Sequence, residues 1–364
     1  MILSAGKVKR MLSAATSECR ESVMRGLSCE FTVENVLRKW ESVPAAPKGE
    51  NAPFALFSYY TPTSGTYNAG DFIQTLAVRQ ALEAVGAPCG GDLFVPRDEL
   101  ALYRGEPVRC VMQGWFSETR TFWPSPAIRP IFIGTHFTVD AADCVMRLLR
   151  RAPEINRTVE IGCRDLSTLA FCRKVGIRSY LSRCLTLTLP ARTAVPSDGE
   201  TLLVDVPDEY LPRLPASVRE HAVRLAQREL TGDVISTGYS PARQMEIGGE
   251  FLARYRQRAR MVVTTAIHVA MPCLAFGIPT VFIEGPQGRD PTRYSALSGI
   301  VPINSREDLL SGKVDFDPPA PDISELKKLL LANLRMSIAA ECGESVDGLA
   351  LEDVRADIAG YKAG

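Results

Sequence analysis

Histidine is scarce in this chain: three in 364 residues, at positions 136, 221 and 268. There are ten cysteines but no C-x-x-C pair, and no H-E-x-x-H or EF-hand pattern. Metal ligands at recognisable spacing are therefore missing, and a protein-held metal is not expected. Cys110 in V-R-C-V-M and Cys273 in P-C-L-A-F sit in apolar contexts, as buried free thiols of a reducing compartment do. Charge of one sign is lacking too, with 42 basic and 42 acidic residues, so nothing favours nucleic acid as a partner. No apolar run approaches the roughly 20 residues that span a bilayer. Lys7, Lys9 and Arg10 are followed by Glu18, Glu21 and Glu30 rather than by the apolar core of a secretory signal. The expectation is a cytoplasmic protein without stable membrane insertion. Walker, G-x-G-x-x-G and G-x-S-x-G patterns are also missing, and no bound cofactor is expected.

What is present is an ordinary globular composition, 46% apolar and 23% charged, on a chain long for one core. Residues 1–50 carry two weak helical patterns and end in a Pro/Gly-rich stretch, which reads as an appendage and linker. From F-A-L-F-S-Y-Y (54–60), short apolar strands alternate with helical periodicity. Strands are predicted at 109–113, 130–135, 157–163 and 185–189, and helices from Phe72 to Gly86, over 140–151 and over 165–176. Breakers near 190–199 precede a restart. There a strand is predicted at 201–206, a helix at 216–230, a strand at 233–237, a helix at 245–258 and a strand at 260–265, with helical sequence from about 323. This rhythm predicts an α/β protein of two Rossmann-like lobes with a central cleft. The expected division is 51–195, 196–322 and a C-terminal helical region 323–364.

Ligands of open parallel sheets bind beyond the carboxyl ends of strands. Four strand-to-helix junctions carry suitable residues. In Asn68-Ala69-Gly70-Asp71, glycine allows close backbone approach and Asp71 reads either as a helix N-cap or as a base, with Tyr67 and Gln74 beside it. His136 follows P-I-F-I-G-T, either at the cleft edge or satisfied by a backbone carbonyl. In Gly162–Thr168, Asp165 is an expected N-cap. Arg164 is unhelpful beside a helix N-terminus unless an anion offsets both, so it is predicted to bind one. The fourth junction runs from Thr265 to His268. With a helix starting near Met271, Pro272 falls in its first turn and His268 in the preceding turn. Histidine is the side chain whose proton affinity lies nearest neutral pH. Arg289 and Arg293 in the next loop either close over an anionic ligand or are solvated charges.

Three stretches then carry a family resemblance: Y-N-A-G-D-F-I-Q-T-L-A, I-G-C-R-D-L-S-T-L-A-F-C-R-K-V-G-I-R-S-Y-L, and V-V-T-T-A-I-H-V-A-M-P-C-L-A-F-G-I-P-T-V-F-I. The chain resembles the polysaccharide pyruvyl transferase family over most of 54–300. The resemblance implies a GT-B-like fold and transfer of pyruvate from phosphoenolpyruvate to two hydroxyls of a saccharide or lipid-linked saccharide, as in envelope or exopolysaccharide biosynthesis. It implies His268 as acid, Asp71 as base or hydroxyl orienter, Asn68, Gly70 and Thr265 near substrate, and Arg164 on an anionic donor group. One position departs: where the family carries arginine two residues before the histidine, this chain has Ala266. Arg289 or Arg293 then substitutes, or the donor differs, or activity is lost. A GT-B glycosyltransferase using a nucleotide sugar and a non-catalytic saccharide- or nucleotide-binding relative are the alternatives.

Overall fold

The computed structural model describes residues 33–46, 52–59, 66–87, 89, 93–116, 123–153, 159–230, 239–286 and 291–363. Arg289, the strand expected at 233–237 and residues 1–32 lie outside them. The fold is mixed α/β and Rossmann-like, built on parallel sheets.

In the first half, β1 (Phe54–Ser58) is buried along its whole length, as a strand covered on both faces must be. A short strand β2 (Thr66–Asn68) leads into helix α1 (Ala69–Ala84). Strands β3 (Phe94–Pro96), β4 (Val108–Val111), β5 (Gly114–Phe116), β6 (Ile128–Ile131), β7 (Thr135–Phe137), β8 (Glu160–Cys163) and β9 (Arg178–Leu181) follow. They order as β3-β1-β4-β6 and β5-β7-β8-β9, all parallel. The backbone bond from Gly162 N to Phe132 O (2.9 Å) carries pairing across the break between the two sets. Helices α2 (Val139–Arg151) and α3 (Leu166–Lys174) complete this half.

The second sheet has the order β11-β10-β13-β14-β15, from β10 (Glu200–Val204), β11 (Ala222–Leu225), β13 (Ala259–Thr264), β14 (Thr280–Ile283) and β15 (Ile303–Asn304). Helices α4 (Pro241–Arg258) and α5 (Ile267–Phe276) flank it. Between β11 and α4 in sequence, β12 (Arg228–Leu230) pairs antiparallel with β2, Asn68 opposite Arg228, so a ribbon joins the two halves.

Helices α6 (Ser324–Cys342) and α7 (Gly348–Gly360) return to the first sheet. There Glu341 pairs with the buried Arg109 (2.6 Å) and with Arg129. Arg355 reaches Glu160 at 2.8 Å and stacks on Tyr180. Arg183 donates to the carbonyls of Ile358 and Tyr361. At the other end of the chain, residues 33–40 are helical, with Val33 and Val36 buried and the Trp40 indole donating to Ala101 O.

Three predicted elements differ. L-T-L-T-L over 185–189 is a 3-10 helix (Leu185–Thr188), because Leu185 N bonds the Gln113 side chain (2.6 Å) instead of a neighbouring strand. Its alternating leucines still pack inward, Leu185 into one core cluster and Leu187 and Leu189 into another. The helix expected over 216–230 is one turn (Ala216–Arg219), after which β11 takes the sheet edge beside β10. The strand expected at 130–135 is broken between β6 and β7, where Gly134 adopts φ +71°. Strands β2, β3, β5, β9 and β12 are additions to the predicted set.

Candidate functional site

Chain order reverses on either side of β10: β11 lies on one edge of it and β13 on the other. A crevice opens outside the carboxyl ends of strands at such a switch point. A cleft of about 220 Å³ occupies this place. Asp205 and Val206 line it from the end of β10, Thr265 to His268 from the end of β13, and Arg293 and Tyr294 from the 3-10 helix Pro291–Leu297. Asn68 enters from the first half.

The local structure at His268 corrects its expected position. Helix α5 starts at Ile267 rather than near Met271, so His268 stands in the first turn and Pro272 lies inside the helix. Proline has no N–H to give to the carbonyl four residues back, which is that of His268. Gln227, 1% exposed, supplies a donor: its Nε2 lies 3.4 Å from His268 O and 2.9 Å from the Tyr255 hydroxyl. The same residue's N–H donates to Asp205 Oδ1 (3.0 Å), and its carbonyl accepts from Ala69 N (3.0 Å). Gln227 thus ties together the ends of β10, α5 and the Asn68–Asp71 segment. The helix ends as expected, on Gly277 in the left-handed region at φ +73°. His268 itself is 7% exposed. A Cβ built on Gly70 would lie 2.7 Å from His268 Cβ, so the glycine is what lets helix α1 approach the histidine.

Asn68, not Asp71, caps α1: its Oδ1 accepts from Gly70 N at 3.1 Å. Asp71 sits in the first turn but is turned from the cleft lining toward buried Arg97 (3.7 Å) and the Gln74 amide (3.1 Å). Arg97 lies over the Tyr59 ring, and burial, with the Asp71 charge adding, pushes that phenol well above its ordinary range.

Thr265 donates to Asp205 O (2.8 Å), holding the residue in the left-handed region at φ +53°. Ala266 is the N-cap of α5 and offers no side-chain cap, in contrast to Asn68 and Asp165 on their helices. First-turn N–H groups at such an end favour anions. Arg293 is the one Arg or Lys among the described residues of this lining.

Next to the cleft lies a second, buried set. His136 is inside β7, its Nδ1 2.6 Å from Asp165 Oδ2. Asp165 Oδ1 accepts from the Ser167 and Thr168 hydroxyls and from Thr168 N, capping α3 as expected. Burial alone would raise the Asp165 pKa, but the His136 hydrogen bond and the Arg164 charge outweigh it and hold the carboxyl well below its usual range. His136 is pushed down by burial and then by Arg164, so near neutral pH the pair is neutral imidazole, donating from Nδ1, against carboxylate. Arg164 is 0% exposed. Its three guanidinium nitrogens lack a hydrogen-bond partner among the described residues, the nearest carboxylate being Asp165 at 3.5 Å. The Arg293 charge bears on His136, and Ser295 Oγ accepts from Leu166 N, so the two sets adjoin through the 291–297 helix.

Of the expected site residues, Asn68, Thr265, His268 and Arg293 meet in the cleft, Gly70 packs behind the histidine, and His136 and Arg164 form the adjoining buried set. Sequence reasoning missed Asp205 and Gln227. Asp205 had a readable signal, a carboxylate at the end of the apolar strand T-L-L-V-D. Gln227 had none, since it fell in a predicted helix. Among the described residues no group of three or more His, Cys, Asp or Glu could hold a metal ion, and no helix is long and apolar enough to cross a membrane. No protein-family model matches the chain, and no curated protein is similar to it at a significant level.

Proposed function

We propose that the chain is a cytoplasmic transferase that moves pyruvate from phosphoenolpyruvate onto two hydroxyls of a saccharide or lipid-linked saccharide, forming a ketal and releasing phosphate. A two-lobed, GT-B-like arrangement, with the halves 51–195 and 196–322 facing across the cleft, is part of the same reading. The observation that carries it is His268 in the first turn of an uncapped helix, sharing a cleft with Arg293. Ketal formation requires a proton for the enol carbon and cations for a phosphate and a carboxylate. His268 supplies the proton. The α5 N-terminus and Arg293 hold one anionic group, and Arg293 takes over the charge that Ala266 lacks. Arg164 stands ready to meet the other, which would resolve its want of hydrogen bonds in a dry site.

The test is a thermal-shift panel of phosphoenolpyruvate, phosphate, UDP and GDP, followed by phosphate release in the presence of saccharides. Release that needs an acceptor and disappears in His268→Ala supports the proposal. Stabilisation by the nucleotides alone would sink it in favour of glycosyl transfer, and no stabilisation by any ligand would favour a non-catalytic relative. Ala266→Arg is expected to tighten phosphoenolpyruvate binding.

A further inference from the structure

Asp205 is the one carboxylate among the described residues that line the cleft. Three contacts hold it there: its N–H donates to Leu225 O (3.0 Å), its carbonyl accepts from Thr265, and its Oδ1 accepts from Gln227 N. Its backbone is left-handed, one of two non-glycine residues described with positive φ. Strained conformations of this kind persist where surrounding structure over-determines them, and they gather at functional sites. Glycine or asparagine would meet the backbone requirement as well as aspartate does. What aspartate brings to this turn that glycine and asparagine do not is a basic carboxylate beside the cleft. Placing a carboxylate opposite an anion-binding helix end costs affinity for an anionic donor, unless the carboxylate has work to do on the other substrate.

From this position we infer that Asp205 is the catalytic base that receives the acceptor's hydroxyl proton, the role that Asp71, engaged with Arg97 and Gln74, does not fill. The inference rests on the pyruvyl-transfer reading. In the first step His268 gives its proton to the terminal carbon of phosphoenolpyruvate. The acceptor oxygen bonds to the central carbon, and its proton passes to Asp205. In the second step another hydroxyl of the same sugar bonds to that carbon, and the carbon–oxygen bond to phosphate breaks, the electron pair leaving with the phosphate. The proton held by Asp205 passes to the departing phosphate, and the proton of the second hydroxyl restores His268, so both groups end in their starting states. Gln227, bonded to both Asp205 and the His268 carbonyl, fixes acid and base relative to one another. The substrate class that this pair selects is a vicinal or 1,3-related diol on a neutral sugar ring, which a carboxylate accepts without charge repulsion.

The experiment compares Asp205→Asn and Asp205→Gly with the wild type for phosphoenolpyruvate binding by thermal shift and for acceptor-dependent phosphate release. Asparagine keeps the left-handed backbone and the acceptor for Gln227 N while removing the basicity. The expected result is a phosphoenolpyruvate-induced shift at least as large as that of wild type and a loss of turnover of about 100-fold or more in both variants. Turnover within threefold of wild type in either variant, at an unchanged melting temperature, overturns the assignment and leaves Asp205 a turn residue. A wild-type chain that is not stabilised by phosphoenolpyruvate and releases no phosphate with any saccharide overturns both the reading and the assignment. That failure shows in the wild type alone, so the two are distinguishable.

Discussion

Substituting alanine for Gly70 probes the site through a single methyl group. The added Cβ would stand 2.7 Å from His268 Cβ, 3.0 Å from Asn68 Oδ1 and 3.2 Å from His268 Cγ. His268 Cβ is anchored to the backbone, so no rotamer change relieves the contact. Ordinary contact begins near 3.4 Å, so α1 and α5 must separate by about 0.7 Å. Alanine gains up to about 1 kcal/mol over glycine within a helix, and forcing a methyl into a packed contact costs roughly 1–3 kcal/mol. The expected net is a destabilisation of about 1 kcal/mol, read as a lower denaturation midpoint in urea. A displacement of that size near reacting atoms costs up to about 100-fold in rate, read as acceptor-dependent phosphate release. Gly249 provides the opposite case: it lies in α4 with nothing within 4 Å of an added Cβ. Gly249→Ala is expected to stabilise by about 0.5–1 kcal/mol. If Gly70→Ala raises the midpoint as Gly249→Ala does, the close approach of α1 to His268 is wrong.

Arg164→Met, which removes a dry cation but also the charge that helps hold the buried Asp165 carboxyl ionised, is expected to destabilise the ligand-free protein by up to about 3 kcal/mol. It should also cancel the rise in melting temperature that phosphate produces; a persisting rise would place the anion elsewhere. Glu341→Ala is expected to cost about 3–5 kcal/mol in urea denaturation, since it leaves the buried Arg109 and Arg129 facing each other. A loss under 1 kcal/mol would mean that the helix α6 contact contributes little. The pH dependence follows from His136, whose folded-state pKa lies below its ordinary 6.5. Such a group contributes stability that is complete above 6.5 and is lost as pH falls through the folded-state value. Denaturation midpoints should decline below about pH 6.5, and His136→Gln should flatten that limb; an unchanged decline would assign it to other groups.

Strands buried on both faces were legible in the sequence because parallel sheets write them as apolar runs. Phe54–Ser58 and Val108–Val111 are the clear cases. Asp165 was legible as a cap because a strand, one acidic residue and two hydroxyls leave few other readings. The Leu185–Thr188 turn was not, since period-two alternation also arises when one turn feeds two core clusters. Pro272 misled for a physical reason. Its cost inside a helix is met by Gln227, and no local pattern reveals a donor 41 residues away. The cap assignment at Asp71 failed by three residues because Asn68 and Asp71 both suit a helix start, and only contact with Arg97 separates them.

The long arc from the first sheet to helices α6 and α7 bears on how the protein is made. Arg109 finds Glu341 232 residues downstream, Arg129 finds the Glu341 carbonyl 212 downstream, and Arg183 finds Ile358 O 175 downstream. At roughly 5–20 residues per second, translation reaches those partners on the order of tens of seconds after the arginines emerge. Until then the nascent first half presents these arginines without their C-terminal partners, on a surface destined to be dry. Stop codons placed before residue 341 are therefore expected to yield insoluble rather than merely inactive chains, read by fractionating the lysate.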